Sequence, residues 1–368
     1  MVAGRVEFEI SGMSGENSMA VRAAGGLLCC LFLLLATPAL AGTRADRNEC
    51  AASADKPDVG GAACSRIIND ASESVTERAK AFKNRGLGSF NRKDYDSAIA
   101  DYGEAIKLSP RDAWAHARRG MAWVEKGEFD QAIADLTLAV TIDPKYAFGF
   151  GQRGQAHFRK RLIAKKDGWE PAIADYGEAI RLDPDLVWLY SSRGVAYSNN
   201  RQYDLAVPDC SEVIRREPRN TIGYNCLGVA YEGLKDYSRA IAAYNQSIGI
   251  DPGNGVAYWN RGNAHVALRN IDGAIADYDR AIATNPKDFN AFNSRGKAWV
   301  AKGDSNRAIA DYTQAIRFNP SYVEAYNNRG LSNEVLGRRA EAIADFRKAQ
   351  SIDPDDEVSK KMLRVLGF

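Results

Sequence analysis

Histidine is nearly absent from this chain. There are three in 368 residues, His116, His157 and His265, with no His-x-x-x-His or His-Cys spacing. That thins the supply of general bases and removes the ordinary zinc patterns, which need paired Cys-x-x-Cys or neighbouring histidines. An excess of charge of one sign is missing too. Lys plus Arg number 49 against 47 Asp plus Glu, a formal net charge of +2. The balance argues against nucleic acid as a partner, because such binders carry a strongly basic domain or face. No P-loop, Gly-x-Ser-x-Gly or dinucleotide glycine fingerprint occurs, and Gly86 and Gly88 fall mid-helix in the frame below. No unassigned stretch is long enough for a catalytic domain. The chain reads as no enzyme, with no cofactor and no metal.

Long apolar runs are scarce, with one exception at Leu27 to Ala36. Arg22 precedes it, Pro38 follows it, and Ala39-Leu40-Ala41 offers small residues where a signal peptidase reads. We read 1–41 as an extension plus signal peptide cleaved after Ala41, and the mature protein as periplasmic or secreted. A retained N-terminal anchor is the alternative, since Ala23 to Ala41 approaches the ~20 residues of a spanning helix, though Pro38 weakens it. Glu7, Glu9 and Glu16 do not suit a signal n-region, so Met19 reads as the better start. Cysteine is sparse, and Cys29 and Cys30 leave with the apolar run. Cys50, Cys64, Cys210 and Cys226 remain, an even number that permits disulfides in an exported chain.

What the chain does have is a period, with a composition (45% hydrophobic, 26% charged) able to fold. Pro110, Pro144, Pro184, Pro218, Pro252, Pro286, Pro320 and Pro354 stand 34 residues apart, except for one step of 40. Eight units therefore fill 79–356, with a six-residue insert in the third. The eighth place is always glycine, as Gly228 or Gly262, and the twentieth always alanine, as Ala240 or Ala274. Each unit reads as two helices. A polar turn such as Lys126-Gly127-Glu128 separates them, and the second stops before an Asp-Pro or Asn-Pro pair that cannot continue it. The constant Gly and Ala are small where the two helices cross.

Two further places vary together. The seventh is Arg85, Arg119, Arg153, Arg193, Arg261, Arg295 and Arg329, and the twenty-third is Asp101, Asp135, Asp175, Asp209, Asp277, Asp311 and Asp345. Only the fifth unit differs, and it differs at both, with Leu227 and Ala243. This predicts a bidentate Arg–Asp pair between the two helices of a unit. The alternative is a row of arginines that grips an acidic ligand.

Gly at the eighth place, Ala at the twentieth, and Tyr278, Ala281 and Pro286 at the twenty-fourth, twenty-seventh and thirty-second of the sixth unit resemble the tetratricopeptide repeat. The arginine departs from the leucine usual in that family. The resemblance implies an all-α, right-handed superhelical solenoid of about eight helix-turn-helix units. Residues 42–78 would be a worn N-terminal cap in which Cys50 and Cys64 face each other across one helix pair and form a disulfide. Residues 357–368 would be a C-terminal capping helix with an apolar stripe of Val358, Met362, Val365 and Leu366. The frame does not obviously set Cys210 and Cys226 opposite each other, which leaves their pairing open.

The resemblance further implies a concave groove lined by the second, fifth, sixth and ninth places of the first helices. Those places hold Trp114, Phe148, Trp188, Asn225, Trp259, Asn263, Asn293 and Asn327. The aromatics would anchor an apolar side chain and the asparagines would hold peptide backbone. The partner would be another protein or a peptide, with no nucleic acid and no membrane insertion of the mature chain. Trp114 and Trp188 packed against neighbouring helices is the alternative. A carboxylate clamp is excluded, because Lys83 starts that pattern and Leu87 fails it. The insert gathers Arg159, Lys160, Arg161, Lys165 and Lys166 near Trp169, a docking point for an anionic surface or the solvated tip of two lengthened helices. A self-associating structural element is the alternative to the binding scaffold.

Overall fold

The structure is a computed structural model that describes residues 43–164 and 168–368. The apolar run, the cleavage position, and Lys165 and Lys166 lie outside the described residues. Among the described residues all regular structure is helical. They form two compact bodies, one ending at Asp183 and the other starting at Pro184.

The first body holds α1 (Arg44–Ala51), α2 (Pro57–Asn69), α3 (Val75–Asn91), α4 (Tyr95–Leu108), α5 (Ala113–Lys126), α6 (Phe129–Ile142), α7 (Ala147–Ala164) and α8 (Glu170–Leu182). The second holds α9 (Val187–Asn199), α10 (Tyr203–Arg216), α11 (Thr221–Gly233), α12 (Tyr237–Ile250), α13 (Gly255–Ala267), α14 (Ile271–Thr284), α15 (Phe289–Ala301), α16 (Ser305–Phe318), α17 (Val323–Val335), α18 (Arg339–Ile352) and α19 (Glu357–Val365). From α3 to α18, odd numbers are first helices and even numbers second helices. The insert goes into α7, which runs 18 residues where α5 runs 14.

Local chemistry sets the helix ends. Asp94, Asp236, Asn270 and Asp304 cap second helices by accepting from a backbone N–H three residues on, and Asp112, Asn220, Asn254 and Asp288 cap first helices likewise. Each such cap contributes about 1 kcal/mol. The turn between the helices is left-handed at one recurring place, filled by Gly127, Gly303 and Gly337 but also by Lys93, Arg201, Lys235 and Arg269. In six of the eight units the second helix drives an aromatic under the glycine of the first, and Leu136 and Cys210 take that place in the second and fourth units. Tyr102, Tyr176, Tyr244, Tyr278, Tyr312 and Phe346 are fully buried. A Cβ on Gly228 would stand 2.3 Å from the Tyr244 ring. No larger residue fits there without moving a helix.

All seven expected Arg–Asp pairs form. In each, Nε and Nη2 of the arginine donate to the two oxygens of a buried aspartate at 2.6–2.9 Å. The structure adds a third arm. Nη1 of Arg85, Arg153, Arg261, Arg295 and Arg329 donates backward to Ser65, Thr137, Asn245, Asp279 and Thr313, on the second helix of the preceding unit. In these five units the arginine thus ties its own unit together and latches it to the one before. These aspartates outweigh burial and raise Arg85, Arg119, Arg193, Arg261 and Arg295 above the ordinary guanidinium pKa.

At the ends, Cys50 and Cys64 stand at bonding distance with Cα atoms 4.7 Å apart, inside a small core with Ala63, Ile67 and Ala81. At the other end Leu363 and Leu366, with Met362, close over Ala342 and Phe346, whereas Val358 and Val365 of the expected stripe are exposed. Cys210 and Cys226 are also at bonding distance, joining α10 to α11. Cys210 holds the aromatic place of its unit, and both sulfurs sit beneath Gly194, where a Cβ would lie 2.9 Å from each. The bridge fills the space that tyrosine fills elsewhere. It also crosses to the unit whose first helix carries Leu227 in place of the arginine latch.

Candidate functional site: the inner face of the first helices

In each body a first helix packs on the second helices of its own and the preceding unit, and also touches the first helices beside it. Second helices make no comparable contact with one another. The first helices are therefore crowded on the inner side of each body. Bonds between adjacent first helices mark which places face along it. Trp259 Nε1 donates to Ser294 Oγ at 3.0 Å, Asn328 Nδ2 to Asn293 Oδ1 at 3.0 Å, and Lys297 Nζ to Glu324 Oε1 at 3.1 Å.

In the first body this face is aromatic and cationic. Trp114 is half-buried against Ala98, Tyr102 and Ala122, with its ring edge-on to Tyr102. Lys83 lies 5.4 Å from that ring and is paired with Asp112. Arg118, which the sequence reading passed over, has its guanidinium 5.0 Å from the Trp114 ring and 5.6 Å from Phe148. The Trp114 and Phe148 rings therefore keep an exposed side and a structural side at once.

In the second body the expected residues divide. Trp188 is half-buried on α9. Trp259 packs against Ala274, Ile275, Tyr278 and Ala298 and spends its N–H on Ser294. Asn263 Oδ1 accepts from the Tyr278 hydroxyl at 2.7 Å. Asn293 is engaged on both sides, donating to Tyr322 and Glu324 and accepting from Asn328. Asn327 Nδ2 donates to Asp356 at 2.8 Å. The Oδ1 atoms of Asn225 and Asn327, on side chains more than nine-tenths buried, accept nothing.

Two turns along the same helix face the repeat supplies a second row, Glu232, Val266, Val300 and Glu334, at the twelfth place of four successive units. Val266 and Val300 are 38% and 45% exposed, a cost for an apolar side chain that a covering ligand would remove. Glu232 accepts from the buried Tyr244 hydroxyl at 3.2 Å, and burial pushes its carboxyl up to about 7 despite that bond. Glu334 Oε2 is buried and accepts nothing. Glutamate at this place in only two units gives no periodic signal, so sequence reasoning did not find the row.

Of the histidines, His116 is buried beside Asp135 and the Pro110 carbonyl, and His265 is half-buried near Asn270.

Models of the tetratricopeptide repeat match 85–147, 192–255 and 323–356, and a further TPR repeat model matches 165–200, 262–303 and 296–337. The chain belongs to the tetratricopeptide repeat family. Among curated proteins none matches its sequence. A tetratricopeptide repeat protein from Parabacteroides merdae superposes with a TM-score of 0.55 at 19% identity, over 69% of this chain and 98% of that one. The APC/C hetero-tetramer Cut9–Hcn1 gives 0.55 at 13%, over 85% of this chain and 60% of that one. MamA is 27% identical over 44% of this chain and 94% of its own, with a TM-score of 0.41. The first two likenesses show the TPR fold and nothing finer. Among the described residues no helix is long and apolar enough to cross a membrane.

Proposed function

We propose that this TPR protein is a non-catalytic scaffold outside the cytoplasm, and that it binds a segment of another protein along the inner faces of its first helices. The observation that carries the reading is the state of those faces. They combine half-exposed aromatics (Trp114, Phe148, Trp188), exposed valines, and buried asparagine oxygens without donors, all aligned by the repeat. A rigid face of this kind binds with little ordering cost. Export is supported by the signal-like N-terminus and by two cysteine pairs at bonding distance, which an oxidising compartment would preserve.

The test is capture of a partner from envelope extract by mature wild-type protein and by a Trp114→Ala plus Trp188→Ala variant. Retained helicity and melting point with loss of the captured protein supports the reading. Loss of stability with capture still proportional to folded protein overturns it and assigns the tryptophans to packing. Light scattering at rising concentration separates the scaffold from a self-assembling element, which would grow in mass.

A further inference from the structure

The inner face of the second body is asymmetric in a way that specifies chemistry. Two of its first helices, α11 and α17, carry acceptors at matching places: Asn225 Oδ1, which has no donor, with Glu232, which accepts from the neutral Tyr244 hydroxyl, and Asn327 Oδ1 and Glu334 Oε2, which have no donor. Among the described residues neither Glu232 nor Glu334 has a cationic partner. The helices between them, α13 and α15, carry Val266 and Val300 at the same place, and both are exposed. Lys297, the cation on this face, is neutralised by Glu324. A carboxylate held in a poorly solvated site without a cation is costly, and the cost is lifted when a partner supplies one.

We propose that this face takes an extended segment of another protein in which two basic side chains flank an apolar stretch, the basic groups pairing with Glu232 and Glu334 and the apolar residues covering Val266 and Val300. This rests on the reading of the inner face as the binding surface. Three steps between adjacent first helices, at ~10 Å each, separate the two carboxylates by about 30 Å. An extended chain covers that with about nine residues.

The experiment uses fluorescein-labelled peptides and the full mature chain, read by anisotropy. One peptide has arginine at both ends of a nine-residue Val/Ala/Leu stretch, a second has glutamate at the ends, and a third keeps arginine but shortens the stretch to four. We expect the long arginine peptide to bind about tenfold or more tighter than either control. The preference should vanish in a Glu232→Gln plus Glu334→Gln variant of unchanged melting profile at pH 6. Equal binding of the arginine and glutamate peptides overturns the proposal and leaves the binding face standing. Preference for arginine that survives the double substitution overturns it by placing the charge recognition elsewhere. No binding by any of the three overturns it, and the envelope capture above then decides separately whether the face binds at all.

Discussion

At the scale of single residues, the Arg–Asp pair is where a local substitution has the largest calculable effect. Asp311 is buried and Arg295 is its bidentate partner, with a further bond to Asp279. Arg295→Leu leaves that carboxylate unpaired, at ~3–5 kcal/mol. Arg295→Leu with Asp311→Ala removes the stranded charge and should cost less, and the fifth unit already folds with Leu227 and Ala243. Denaturant melts of the two variants check this, and equal losses would return the arginines to the list of ligand groups. Glu232 gives a pH-dependent counterpart. Its folded pKa is raised to about 7 from the ordinary 4.5, so the folded state holds more protons than the unfolded state between those values. The facing groups are the hydroxyls of Tyr244 and Tyr278, both raised by burial and by Glu232 itself. Stability contributed by the protonated form is full below pH 4.5 and is lost as pH rises through 7. Glu232→Gln should therefore melt higher than wild type at pH 8, by the equivalent of ~1–3 kcal/mol, and nearly with it at pH 5. A constant difference across that range would mean the carboxyl is not held protonated.

At the scale of elements, the two cysteine pairs do different work. Cys50–Cys64 closes the worn helix pair α1–α2, whose core is too small to be stable alone, and a loop of this size adds ~3 kcal/mol in the chain-entropy model. Cys210–Cys226 ties α10 to α11 at the junction where Leu227 stands in place of the arginine. Intact-mass alkylation of mature protein without reductant should find no free thiol. Reduction should speed amide exchange in α1–α2 and at the α10–α11 junction, while α13 to α16, latched by Arg261 and Arg295, stays protected. Uniform loosening of all junctions would remove any local role for the second bridge.

At the scale of the whole molecule, repeat stability is a sum of unit and nearest-neighbour terms, so the ends need closing. The N-terminal helix pair and α19 supply that. The mature protein should begin at or near Gly42 and fractionate outside the cytoplasm, and N-terminal sequencing checks it. Met19 intact in a membrane pellet would replace the signal peptide with an anchor.

The sequence by itself determined the unit: two helices with a turn between them, a glycine and an alanine small where they cross, and an arginine joined to an aspartate, 16 residues on in every pair except the 22 of Arg153 and Asp175. These contacts lie inside one repeat, where helical pitch and turn length fix which side chains meet, and the joint absence of arginine and aspartate from the fifth unit pointed to their pairing. Only the tertiary structure decided what passes between units. Cys210 and Cys226 are also 16 residues apart, but they meet across a unit boundary, as do the backward arms of five arginines, and the row of Glu232, Val266, Val300 and Glu334 spans four units. Those depend on the rotation of each unit against the last, which the packing of both units sets together and no single repeat encodes.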